Sequence, residues 1–183
     1  MIQAIVYTSN AGTTAQYAAL IGDKTGLPVY PLHSADLASG AEIVYLGWLM
    51  AGTVKGYREA AKRFSVRALC GVGMGETGSQ IPDVRKANAV SDGMPVFTLR
   101  GGFDITKLHG IYRFMMGVMK KTAGGKLAKK TDRTPDEDVM LDMLLHGGNY
   151  VSEENAAALL DWIRANMARR GADPARRSAA WTN

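Results

Sequence analysis

The chain has 183 residues, of which 46% are hydrophobic and 21% are charged, as is typical of one globular domain or one domain with an extension. No apolar run approaches the ~20 residues of a membrane-spanning helix. The single cysteine, Cys70, excludes an internal disulfide and fits a reducing compartment. No basic leader precedes the first apolar run, so we expect a cytoplasmic protein.

The net charge of +5 is unevenly distributed along the chain. Residues 100–133 contain nine Lys or Arg and two acidic residues, and residues 164–183 contain five and one. The rest of the chain is net acidic. This asymmetry requires an explanation beyond average composition.

The chain opens with a predicted strand, a loop of small residues and a helix. Residues 2–7 form a nearly continuous apolar run with β-branched members, which is typical of a buried parallel strand. Tyr17, Leu20 and Ile21 recur at helical spacing and predict the helix. The six residues between the two elements are all small.

This loop has the chemistry of an anion site. The first N–H groups of a helix lack intrahelical acceptors, and the helix dipole places partial positive charge there. The hydroxyls of Ser9, Thr13 and Thr14 add donors, and Gly12 allows a close backbone approach. The loop contains no Lys or Arg, which excludes a P-loop. We therefore expect a phosphate held by N–H and O–H donors alone.

The next elements continue to alternate between strand and helix as far as residue 101. In chain order we predict an edge strand with two prolines at 27–32, at most one helical turn at 34–39, a strand at 42–46 ending at Gly47, a helix at 55–64, a strand at 66–72, a helix at 82–89 and a fifth strand at 95–99. This alternation predicts an α/β fold with helices on both faces of a parallel sheet.

The opening stretch resembles the phosphate-binding signature of the flavodoxin family. The residues that carry the resemblance are Ile5, Val6, Tyr7, Ser9, Gly12, Thr14, Ala18 and Ile21. The resemblance implies a flavodoxin-like doubly wound sheet of five parallel strands in the order 2-1-3-4-5, with FMN as the cofactor. It implies cofactor-binding residues in three loops at the carboxyl edge of the sheet: Thr8, Ser9, Asn10, Ala11, Gly12, Thr13 and Thr14; Gly47, Trp48, Leu49, Met50 and Ala51; and Gly73, Met74, Gly75 and Glu76.

Two features of the second and third loops bear on how FMN would be held. Trp48 either stacks on the flavin ring or lies in the core beneath the loop. The third loop has no aromatic residue, and we expect Met74 to fill its place. The same loop contains a G-x-G-x-x-G match, but it follows the fourth strand and no acidic residue ends the next strand. We therefore do not expect dinucleotide binding there.

Residues 102–151 form a predicted helical insertion in a domain that spans residues 1–170. A helix at 105–121 has a wide apolar stripe, and a loop rich in lysine and glycine follows at 121–133. Thr134, with Pro135 and Glu137 after it, forms a predicted capping box at the start of a helix that ends at 147–148. Ser152 is expected to cap a last helix that extends to 168, and residues 171–183 are expected to form a flexible basic tail.

The insertion resembles the corresponding segment of menaquinone-dependent protoporphyrinogen oxidases. The residues that carry this resemblance are Tyr112, Arg113, Phe114, Met115, Gly124 and Gly125. It implies an apolar substrate, a quinone or a porphyrin, with peripheral membrane contact through residues 105–130 and attraction of the lysines to anionic lipid. Alternatively, the helix buries its stripe against the sheet or against a second subunit in a homodimer.

Three classes of function follow from the sequence. The first is an FMN-dependent oxidoreductase with a quinone- or porphyrin-like partner, the second is a single-electron carrier that needs a reductase, and the third is a binding module without a cofactor. No catalytic constellation stands out, and the three histidines lack metal-ligand spacing. Basic residues are not interleaved with aromatic ones on a nucleic-acid-binding fold, so we do not expect a nucleic-acid role.

Overall fold

The protein is a doubly wound α/β domain in a computed structural model that describes residues 1–103, 114 and 117–171. In this part of the chain, the sheet strands are β1 (Ala4–Thr8), β2 (Val29–Pro31), β3 (Glu42–Met50), β4 (Thr53–Val54), β5 (Ser65–Gly73) and β6 (Val96–Arg100). The parallel strands have the order β2-β1-β3-β5-β6, and β4 pairs antiparallel with the end of β3. Without β4 this is the order 2-1-3-4-5, so the predicted flavodoxin-like fold class is confirmed.

Helices cover both faces of the sheet. They are α1 (Thr13–Thr25), α2 (Tyr57–Arg63), α3 (Ile81–Ala87), α4 (Gly125–Lys129), α5 (Pro135–His146) and α6 (Glu153–Gly171). On one face, α1 and α6 bury Ile21 and Leu159 against β1, β3 and β5. On the other face, α2 and α3 bury Ala60 and Val84. Each strand therefore needs apolar residues on both sides, which explains the continuous apolar runs in the sequence.

The sequence correctly predicts an edge strand for β2. Pro31 has no N–H to donate to a β-ladder. It lies opposite Tyr7 of β1, and in the described part of the chain β1 is the strand that pairs with β2.

The predicted end of the third strand at Gly47 is wrong, because β3 continues to Met50. Trp48 still pairs with Val72 of β5, and Leu49 and Met50 then pair with β4 in a hairpin. Gly47 does not break the strand: a Cβ at Gly47 would lie 2.5 Å from Val54 Cγ1 and 2.5 Å from the Lys55 carbonyl. The absence of a side chain at Gly47 leaves room for Val54 and the Lys55 backbone. The predicted second loop therefore begins inside strand β3.

The predicted lysine- and glycine-rich loop at 121–133 is also wrong. Lys120–Gly124 forms a π-helical turn that leads into α4. Gly124 and Gly125 have φ values of −60° and −65°, because glycine adopts helical angles when the neighbouring turns continue. Arg133 donates to the carbonyls of Leu127 and Lys130 and so ends α4.

Other expectations for the second half have mixed outcomes. The capping box is confirmed, since the Glu137 N–H donates to Thr134 Oγ1 and the Thr134 N–H to Glu137 Oε2. Ser152 caps α6 through the Asn155 N–H. Of the predicted helix at 105–121, residue 114 and residues 117–119 are helical, whereas 104–113 and 115–116 lie outside the described residues, as does 172–183 of the predicted tail.

Two short strands that the sequence analysis missed form a separate two-stranded sheet at the base of the insertion. They are β7 (Gly102–Phe103) and β8 (Gly148–Asn149), which pair antiparallel at the two ends of the insertion. No helix among the described residues combines the length and apolar character needed to cross a bilayer.

Candidate functional site

The carboxyl ends of four strands meet at one edge of the sheet. Thr8 lies opposite Gly47, Gly47 opposite Gly71, and Gly73 opposite Arg100. The segments that follow β1, β5 and β6 and the hairpin that ends β3 therefore emerge side by side. This edge is where doubly wound folds bind ligands.

The first loop contains the backbone geometry expected of an anion site. Gly12 has φ +96°, and a Cβ there would meet nothing nearer than Gln16 Nε2 at 3.9 Å. The glycine is therefore needed for its positive φ and not for space. Its carbonyl accepts the Gln16 N–H at 3.0 Å, so the N–H groups of residues 13–15 precede the first intrahelical bond.

The hydroxyl groups near this loop have different partners. Thr13 donates to the Gly102 carbonyl at 3.1 Å and is buried, so its hydroxyl is occupied within the protein. Ser9 Oγ is buried and has no hydrogen-bond partner within the described part of the chain. A buried hydroxyl without a partner costs about 1–3 kcal/mol. Of Ser9 and Thr13, it is Ser9 whose hydroxyl remains available to a ligand.

Thr8 is also committed within the protein. Tyr45 donates its single hydroxyl proton to the Lys55 carbonyl at 2.8 Å, so the 2.7 Å contact between Thr8 and Tyr45 uses the Thr8 proton. Burial raises the pKa of Tyr45 to about 12, so this phenol stays neutral at physiological pH. Thr8 therefore supports the loop from below and has no proton left to donate to a ligand.

The β3–β4 hairpin holds the predicted second-loop residues. Gly47, Trp48, Leu49 and Met50 lie in β3, and Ala51 lies in the turn with φ +49°. Trp48 is partly exposed, with the Lys55 ammonium 5.8 Å from its ring centroid. Trp48 is not among the buried residues of the two sheet cores, and its stacking on a flavin stays a prediction.

The hairpin is attached to α3 by a residue that the sequence analysis missed. Asn88 is buried, and its Oδ1 accepts the Val54 N–H at 3.0 Å. Its Nδ2 donates to the carbonyls of Gly52 and Val84 at 2.9 and 2.7 Å. No local pattern marks an asparagine for this role, because the partners are 34 and 36 residues away for the two hairpin bonds.

Hydrogen bonds of Thr77, the residue after Glu76, hold the third loop in place. Arg100 donates its backbone N–H to Thr77 Oγ1 at 3.0 Å, and Thr77 in turn donates to Asn155 Oδ1 at 2.7 Å. The protein's own side chains also take up space beside the glycines, since a Cβ at Gly75 would lie 2.8 Å from Gln80 Oε1 and one at Gly73 would lie 3.0 Å from Leu49 Cδ1. Glu76 is exposed, and its carbonyl accepts the Ser79 hydroxyl.

Helix α5 lies against the first and third loops. The Met143 side chain is completely buried and contacts Ala11 and Met74. Val139, one turn earlier on the same helix, and Tyr150 complete this small apolar cluster, which is separate from the two cores of the sheet. The sequence analysis did not place Met143 at the site, although its spacing of four from Val139 marks a shared helix face.

Asn10 and Ala11 lie in the first loop, partly buried, and Thr14 lies in the first turn of α1, almost fully buried. Among the described residues, no group of three or more His, Cys, Asp or Glu could hold a metal ion.

Comparisons with protein-family models, with curated proteins and with solved structures found no match to this chain.

Proposed function

We propose that this chain binds FMN at the carboxyl edge of its sheet and uses it as an oxidoreductase. The observation that carries the proposal is the buried Ser9 hydroxyl without a partner, next to a helix N-terminus that follows Gly12 at φ +96°. An anionic acceptor there would satisfy both Ser9 and the first N–H groups of α1. The donor set suits a phosphate ester and contains no cation that would favour a nucleoside triphosphate.

Different residues of the site would contact the phosphate and the ring of the cofactor. Ser9 and the N–H groups of residues 13–15 would bind the phosphate, while Trp48 and Met74 would flank the ring. Bound FMN supplies the hydride or electron transfer. The Lys55 ammonium near Trp48 would favour negative charge on this side of the site.

An apolar partner suits the surface of the insertion, and acidic groups on that partner would suit its lysines. Phe114, Val118 and Met119 are exposed by 71%, 45% and 36%, and residues 105–130 contain no Asp or Glu. A quinone or a carboxylated porphyrin, reached at a membrane surface, would match exposed apolar groups beside Lys120 and Lys121.

A titration with FMN and riboflavin tests the phosphate site directly. The binding of either ligand is measured by quenching of flavin fluorescence. Ser9→Ala is expected to weaken FMN binding about 10- to 100-fold, because a hydrogen bond to a charged group contributes about 1.5–3 kcal/mol. Riboflavin lacks the phosphate, so its affinity is expected to be the same for Ser9→Ala and wild type.

Ser9→Ala should weaken FMN binding without weakening the fold. Removing a buried hydroxyl that has no partner should leave the unliganded protein as stable as wild type or more stable. Ser91→Ala, in an exposed turn between α3 and β6, is the matched control and should change neither property. A wild-type protein that does not bind FMN would favour the binding module, and reduction that requires a separate reductase would favour the single-electron carrier.

A further inference from the structure

The exposed side chain of Gln16 lies over the first turn of α1, beside the loop that precedes the helix. The Gln16 backbone N–H donates to the Gly12 carbonyl at 3.0 Å. Because side chains on a helix lean toward its N-terminus, Gln16 reaches back over this turn. Its Nε2 lies 3.9 Å from the position that a Cβ at Gly12 would occupy. The Gln16 amide is therefore at the same end of α1 as the N–H groups of residues 13–15, which precede the first intrahelical bond.

Hydrogen bonds from the insertion fix the direction in which the Gln16 amide faces. The Val151 backbone N–H can only donate, and it donates to Asn149 Oδ1 at 3.1 Å. Asn149 Nδ2 is then the group that contacts Gln16, and it donates to Gln16 Oε1 at 2.8 Å. The Gln16 oxygen is thereby occupied, and Nε2 lies on the side of Gly12. Within residues 1–103, 114 and 117–171, this Nε2 donates no hydrogen bond.

Asn149 is itself held next to the start of α1. It lies opposite Gly102 in the pair of β7 and β8, and the Gly102 carbonyl accepts the Thr13 hydroxyl at 3.1 Å. Two contacts, from Thr13 to Gly102 and from Gln16 to Asn149, therefore join the first turn of α1 to the base of the insertion. The orientation of the Gln16 amide depends on the insertion and not on α1 alone.

We infer that Gln16 is a further binding residue of the site, which donates from Nε2 to the phosphate, and that Asn149 is its positioning residue. The inference rests on the proposed function, since the phosphate is that of the bound FMN. The amide nitrogen of Gln16 has two protons and accepts nothing, so it suits an anion. A phosphate ester offers more acceptor sites than the Ser9 hydroxyl can fill. Gln16 adds a donor without adding the positive charge that the loop also lacks.

The affinities of Gln16→Ala for FMN and for riboflavin, measured by quenching of flavin fluorescence, test this inference. We expect the affinity for FMN to fall about 3- to 10-fold, because the lost hydrogen bond is to a charged group but lies in contact with water. Riboflavin has no phosphate and should bind Gln16→Ala and wild type equally. Gln16→Glu retains the length of the side chain and places negative charge near the phosphate, so it should weaken FMN binding at least as much.

Gln3→Ala is the matched control. Gln3 is an exposed glutamine that precedes β1, so it lies at the opposite end of this strand from the loop. Its replacement should leave the affinities for both flavins unchanged. Because Gln3 and Gln16 are both exposed, neither alanine variant should lower the free energy of unfolding in urea by more than about 0.5 kcal/mol. A loss of FMN affinity in Gln16→Ala is thus separated from a loss of stability.

Asn149→Ala tests the positioning role. It removes the hydrogen bond that orients the Gln16 amide, so FMN binding should weaken about twofold and riboflavin binding should not change. If Asn149 acts through Gln16, a variant with both Asn149→Ala and Gln16→Ala should bind FMN as Gln16→Ala alone does, because the two changes remove one interaction. Losses that multiply in the double variant would contradict the positioning role.

Two results would overturn the assignment of Gln16 to the phosphate. If wild type prefers FMN to riboflavin and Gln16→Ala binds FMN equally well, Ser9 and the N–H groups of residues 13–15 hold the phosphate without Gln16. If Gln16→Ala loses the same affinity for both flavins, Gln16 does not act on the phosphate. Failure of wild type to bind either flavin would instead remove the proposed function and this inference with it.

Discussion

The hydroxyl groups of Thr8 and Tyr45 lie 2.7 Å apart, directly below the loop that contains Ser9. Tyr45 also donates to the Lys55 carbonyl, and it lies so close to Gly56 that a Cβ there would overlap its hydroxyl. This contact connects the end of β1 to the segment between β4 and α2. The support for the candidate phosphate loop therefore depends on a glycine 47 residues further along the chain.

Replacing Gly56 with alanine should destabilise the protein more than the same change at Gly40. The two glycines have φ values of +81° and +78°, so the backbone strain of about 1 kcal/mol is shared. A Cβ at Gly40 would meet no atom within 4 Å, whereas one at Gly56 would overlap Tyr45 and approach Thr8 Oγ1 at 2.5 Å. We expect an additional loss of about 1–3 kcal/mol for Gly56→Ala in urea unfolding. Equal losses would contradict the close packing.

Asn88→Ala should be one of the more destabilising polar substitutions in the protein. It leaves the buried Val54 N–H and the Gly52 carbonyl without their partner, which should cost about 2–4 kcal/mol in the free energy of unfolding. Asn166→Ala, which removes one bond to the Trp162 carbonyl within α6, is the control and should cost under about 0.5 kcal/mol. Similar losses for the two variants would argue against a structural role for the hairpin attachment.

Thr134→Ala should weaken α5 through the loss of its capping box. An N-cap substitution of this kind costs about 1 kcal/mol, so amide hydrogen exchange in 135–146 should become about fivefold faster. Thr131→Ala changes an exposed residue outside the cap and should leave exchange unaltered. If the exchange rate in Thr134→Ala equals that of wild type, the cap does not limit the opening of α5.

Alkaline pH should destabilise the fold through two buried tyrosines. Burial raises the pKa of Tyr17 and of Tyr45 to about 12, from the ordinary value of 10.0. Below pH 10 the two phenols are protonated in the folded and in the unfolded protein, so their contribution to the free energy of unfolding is complete. As the pH rises to 12 the unfolded state loses the proton first, so stability falls. A variant with both Tyr17→Phe and Tyr45→Phe should lose less stability over this range in urea unfolding, and an unchanged slope would refute the assignment.

Local patterns in the sequence determined most of the fold. Continuous apolar runs identify β1 and β5 because such strands are covered on both faces, and Pro31 marks β2 as an edge because proline cannot donate to a ladder. The capping box at Thr134 gives the start of α5 to the residue. The position of Gly12 before α1 likewise follows from the short-range chemistry of a helix start.

Only the tertiary structure decided which of these residues are available at the site. The end of β3 depends on pairing with β5 and β4. The Thr13 and Thr8 hydroxyls are occupied by Gly102 and Tyr45, which are distant from them in sequence. The contact of Met143 with Ala11 and Met74 joins three separate segments. Periodicity and turn chemistry act over a few residues, whereas hydrogen-bond satisfaction and burial are settled by partners that meet only when the chain has folded.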